Sequence, residues 1–156
     1  MKLRNVSEWI AIGANLGVLL GIILLILQLN QNRVIMKAEV RNELSTKVVE
    51  FLFTQATDPE LAELMIKANN NETLSPAEQI MYGSRCEAAF RYWENVNYQY
   101  RQGLFDNTEY SAARRTMGII INNNRGFKRF WCENKTLFSE PFGKEIDNIL
   151  MDEKCE

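Results

Sequence analysis

The sequence predicts an all-α protein: one N-terminal transmembrane helix, continuous with a long helix, followed by a small helical bundle. Three observations carry that expectation. Residues 9–29 form a run of 21 without a charge. Only three prolines occur in 156 residues, and after residue 29 apolar side chains recur at three- and four-residue spacing. Two sharp helix starts, Asp58-Pro59 and Ser75-Pro76-Ala77-Glu78, divide the remaining chain.

At about 1.5 Å rise per residue the uncharged run reaches about 31 Å, the thickness of a bilayer's hydrocarbon core. A helix lets such a segment satisfy its own backbone hydrogen bonds in lipid. The run exceeds the apolar core of a cleaved leader, about 7–15 residues, and no small-x-small site follows Leu29, which predicts an uncleaved anchor. The expected division is 1–30 for the membrane helix and its flank, and 31–156 for an all-α soluble domain. Gly13, Gly17 and Gly21 spell GxxxGxxxG. Glycines four apart share one helix face and let a second backbone approach closely. Asn15 projects roughly opposite, at about 100° per residue, and an amide in lipid seeks a partner across an interface. Gly13, Gly17, Gly21 and Asn15 are therefore the candidate helix–helix interface. Trp9 is a candidate interfacial anchor. The expected partners are the lipid bilayer and either further copies of the chain or other subunits of a membrane complex.

The flanks carry Lys2 and Arg4 before the span, and Arg33, Lys37 and Arg41 after it. The positive-inside rule then predicts a cytoplasmic C-terminal domain at a bacterial inner membrane. Cys86, Cys132 and Cys155 show no paired spacing, which agrees with a reducing compartment. Cys86 and Cys132 read as small core residues, and Cys155 as an exposed tail thiol.

From Gln31 to about Thr57 no glycine or proline interrupts the chain, and Val34, Ala38, Val40, Leu44, Val48, Phe51 and Leu52 give a helical stripe. Either the membrane helix runs straight on, or Asn30-Gln31-Asn32 breaks it. A short helix is expected from Pro59 to about Ala68, with Leu61, Leu64 and Met65 inward. The capping box at Ser75 starts a long helix to about Gln102, with Gly103 closing it. That helix carries Ile80, Cys86, Ala89, Phe90, Trp93, Val96 and Tyr100, with Arg85, Arg91 and Arg101 interleaved. Two readings fit: a central core helix with an ion-paired outer side, or a partner- or ligand-binding face built on Arg85, Phe90, Trp93 and Tyr100. A further helix runs from Asp106 or Asn107 to about Ile121, with Met117, Ile119, Ile120 and Ile121 inward. Residues 122–126 read as a turn, 126–134 as a short helix burying Phe127, Phe130 and Trp131, and Ser139-Glu140-Pro141 as the start of a last helix. The tail from Met151 is charged.

The chain has no histidine, the commonest general base and metal ligand, and its net charge is −2. No phosphate loop, nucleophile elbow or dinucleotide fingerprint occurs. The expectation is a non-enzyme without metal, cofactor or nucleic-acid partner.

The chain resembles a family of small bacterial single-pass membrane proteins found in marine and other aquatic bacteria. The matching pieces are a tryptophan before IGANLGVLLGIILLILQLNQN, then DPELAEL, LSPAEQ, ENVNYQYRQGLFD, and GFKRFWCENKTLFSEPF with EIDNIL behind it. They cover nearly the whole chain. The departure is FKRFWCE, where the family pattern implies a second adjacent tryptophan and no cysteine. The resemblance implies the layout of one membrane helix and a helical domain, and it implies no activity. The function expected is a structural, scaffolding or accessory subunit. A small homo-oligomeric channel, with Asn15 as its polar ring, and a membrane-tethered ligand-sensing domain are the alternatives.

Overall fold

The computed structural model describes residues 2–150 and Cys155. Its elements are α1 (Lys2–Thr57), α2 (Pro59–Asn69), α3 (Pro76–Arg101), α4 (Asn107–Asn123), α5 (Arg125–Asn134) and α6 (Glu140–Ile149), with a 3-10 turn at Lys135–Leu137. Among the described residues there is no strand, so the architecture is the all-α one that periodicity predicts. The expectation for the charged tail from Met151 lies outside the described residues, apart from Cys155.

Two compact units divide the chain, Met1–Glu39 and Val40–Glu156. The first is a stretch of α1. It stays helical through Asn30-Gln31-Asn32, because amides exposed on a helix cost little and no proline or glycine intervenes. Every side chain from Ser7 to Glu39 is exposed. By length and composition this helix can cross a membrane.

The second unit begins with the last turns of α1. Val40, Leu44, Val48, Phe51 and Gln55 are its covered positions, spaced three and four apart. Leu52, expected on that stripe, faces out, as do Val34 and Ala38 in the first unit. Asp58 ends α1 and caps α2, its carboxylate accepting from Leu61 N at 3.0 Å. The capping box of α3 forms in full: Ser75 Oγ accepts from Glu78 N at 3.3 Å, and Glu78 Oε2 accepts from Ser75 N at 2.7 Å. Lys67 Nζ donates to Glu78 Oε1 at 2.7 Å and ties the end of α2 to the start of α3. The bond from Lys67, with those from Ser75, holds the Glu78 carboxyl down at about 2. Gly103 closes α3 at φ 70°, a conformation that costs a residue with a Cβ.

The turn expected over residues 122–126 contracts to Asn124. Asn122 stays in the last turn of α4 because its amide donates to Gly118 O at 2.8 Å and to Ile149 O at 3.0 Å. Asn124 Oδ1 accepts from Phe127 N at 3.1 Å and starts α5 at once. Gly126 therefore lies inside the first turn of α5, packed on Tyr82.

Phe90, fully buried, is the centre of the main core. Trp131 lies 5.1 Å from it between ring centroids, Trp93 5.3 Å, Phe130 5.7 Å, Phe138 5.8 Å and Phe127 6.0 Å. Met117 and Ile121 seal α4 against this core, Ile120 is half-buried, and Ile119 is exposed. Three consecutive isoleucines span some 200° of helix, so all three cannot face inward. Ile80 is likewise exposed on the outer side of α3. A smaller cluster of Leu44, Val96 and Tyr110 joins α1, α3 and α4. Buried Asn97 completes it, donating to Tyr110 Oη at 2.9 Å and accepting from Arg101 Nε at 3.0 Å.

Two substitutions test this packing and capping. A Cβ at Gly126 would overlap Tyr82 Oη and stand 2.8 Å from Tyr82 Cζ. Gly126→Ala should cost about 1–3 kcal/mol in urea denaturation, and an unchanged midpoint would contradict the close packing. Glu78 contributes stability fully above its ordinary value near 4.5, and that contribution fades as pH falls toward about 2. Glu78→Gln should remove this acid-sensitive component between pH 4.5 and 2; an unaltered stability–pH curve would contradict it.

Candidate functional site

Two regions qualify, one in each unit, and they are built from different physics. In the first, Gly13, Gly17 and Gly21 lie four residues apart on one exposed helix face. A Cβ added at any of the three meets nothing within 4 Å, so the stripe is open to a second backbone. Asn15 is also exposed. The geometry is that of a helix face with open space beside its glycines.

The second is a cleft of about 570 Å³ lying wholly within the second unit, between α1, α3 and α4. Val48, Phe51 and Leu52 line it from α1, Ala88, Tyr92 and Trp93 from α3, and Ile120 from α4. Arg85 enters from the first half of α3. Its guanidinium Cζ lies over the Phe51 ring, 3.0 Å from the centroid. Nη2 donates to Phe51 O at 2.9 Å and to Gln55 Oε1 at 3.1 Å, while Nε is buried with no acceptor among the described residues. Burial draws its pKa below the ordinary value, yet an arginine keeps its charge throughout the physiological range.

The four residues of the expected ligand face separate in the structure. Arg85 and Trp93 both line the cleft. Phe90 sits behind them, enclosed in the aromatic core. Tyr100 belongs to the smaller cluster, stacked on Tyr110 at 3.9 Å with its hydroxyl donating to Asn107 Oδ1 at 3.0 Å. Helical spacing places Arg85, Trp93 and Tyr100 along α3 without saying which neighbour covers each. Phe51 and Gln55, which hold the guanidinium, are site residues that sequence reasoning misses. Their only signal is the three- and four-residue spacing of α1.

Cys86 is a buried free thiol, and burial pushes it up to about 12, far from reactive. Burial also raises the Tyr82 hydroxyl beside it. Cys132 and Cys155 form a disulfide, which corrects the reading of Cys155 as a free tail thiol. Sequence spacing could not pair them, because the bond depends on how α5 and the chain after α6 fold together. Among the described residues no histidine, cysteine, aspartate and glutamate group could hold a metal ion. Comparison with protein-family models, with curated proteins and with solved structures finds no match to this chain.

The cysteine chemistry is directly countable. Alkylation of the unfolded, unreduced protein should add one group per chain, at Cys86, and three after reduction; three before reduction would contradict the disulfide.

Proposed function

We propose that this chain is a single-pass membrane protein, a scaffolding or accessory subunit that assembles through the Gly13, Gly17 and Gly21 face of α1. The observation that carries the reading is the uncovered apolar run itself. Among the described residues, every side chain from Ser7 to Glu39 is exposed. In water that surface would be an aggregation site; in lipid it is solvated. Lipid gives no hydrophobic drive for two helices to meet, so close backbone packing at glycine supplies the attraction.

Two features bear on the orientation. Flank charges favour a cytoplasmic domain by three basic side chains, Arg33, Lys37 and Arg41, against two, Lys2 and Arg4. The Cys132–Cys155 bond favours an oxidising compartment, where a structural disulfide persists. A margin of one charge is the weaker of the two. The domain is therefore read on the periplasmic face of a bacterial inner membrane.

Native mass spectrometry of the gently extracted protein tests the assembly. The wild type should appear as a multiple of 18.1 kDa, or with additional subunits. Gly17→Ile should shift it toward a single chain, and an unchanged oligomer mass would show that the glycine face does not hold the assembly.

A further inference from the structure

The cleft between α1, α3 and α4 is mainly apolar, with Thr54, Asn95 and Thr116 as neutral polar lining and a set of charges that nearly cancel. Lys47 pairs with Glu50 at 3.6 Å, and Arg91 pairs with Glu87 and Glu94 at 3.6 and 2.9 Å. Two lining charges remain. Glu43 is an exposed rim carboxylate two helical turns, about 12 Å, from Phe51. Arg85 is the other, and among the described residues no carboxylate pairs with it. A half-buried cation with an orphaned N–H, lining a mainly apolar cavity, is an arrangement that folding alone disfavours. Neutral acceptors on Phe51 and Gln55 bond it but leave its charge uncompensated.

We propose that this cleft binds a monocarboxylate with an apolar tail, of the fatty-acid type. Arg85 is the counter-ion for the head, and Val48, Phe51, Trp93 and Ile120 surround the tail. The volume, about 570 Å³, falls in the range of about 300–1,000 Å³ usual for small-molecule sites. A single unneutralised cation matches a single negative charge, whereas a phosphate dianion would bring a second charge toward Glu50 and Glu43. The guanidinium supplies charge-assisted hydrogen bonds at the head, and the alkyl tail removes Phe51 and Ile120 from water.

The test is a titration of the full chain in lipid nanodiscs with [1-13C]dodecanoate, followed by the carboxyl NMR signal, with empty nanodiscs as reference. One saturable site per chain, absent from empty discs, is expected. Arg85→Gln should weaken it tenfold or more. Because Arg85 also joins α1 to α3, a second variant keeps the test independent of folding. Ala88→Trp adds bulk at an exposed position of the cleft and removes no atom that bonds Arg85. It should abolish binding while keeping the wild-type melting temperature. A signal identical to that of empty discs, or binding unaffected by Ala88→Trp, would overturn the site. Dodecanol competing as well as dodecanoate would overturn the role of Arg85.

Discussion

The apolar run from Trp9 to Leu29 is exposed along its whole length among the described residues, and that constraint governs the molecule. A stretch of 21 uncharged residues cannot be left to water without an apolar phase or partner taking its place. The domain in contrast is self-sufficient. Its core closes around Phe90, and its helix starts are met by Asp58, Ser75, Asp106 and Asn124. The same helix that carries the run also contributes Leu44, Val48 and Phe51 to that domain. The apolar run and part of the fold are thus two stretches of one element, whose side chains are all exposed from Ser7 to Glu39 and partly covered from Val40.

Within the domain the aromatic centre and the cleft are two sides of α3. Phe90 faces inward to five rings, while Arg85 and Trp93 reach the edge where α1 and α4 leave space. Arginine on an aromatic face buries its stem cheaply and keeps its charge available. Phe51 provides that face and Gln55 a neutral acceptor. This explains how a cation sits at the edge of an apolar core with no salt bridge among the described residues, its Nε unpartnered.

The helices were legible because their starts are chemical. Asp58-Pro59 and Ser75-Pro76-Ala77-Glu78 state their caps locally, and both are realised through hydrogen bonds between residues three apart. Gly103 was legible for the same reason, since its φ is a local requirement. Features that were not legible depend on distant partners. Asn122 looks like a turn residue, but Ile149 O, 27 residues on, holds it in α4. Tyr100 looks like part of a ligand face, but Tyr110 stacks on it. Cys132 and Cys155 look unrelated at a separation of 23 residues. The glycine stripe stands apart: its spacing is plain in the sequence, and the space beside it is open among the described residues.

Alkaline carbonate extraction of the full-length chain from its own membranes tests the anchoring most directly. An integral helix keeps its lipid contacts when peripheral electrostatic contacts are stripped at high pH. The intact 18.1 kDa chain should stay with the membrane pellet. Release of the intact chain into the supernatant would contradict the anchoring, because residues 9–29 would then be covered by something other than a bilayer.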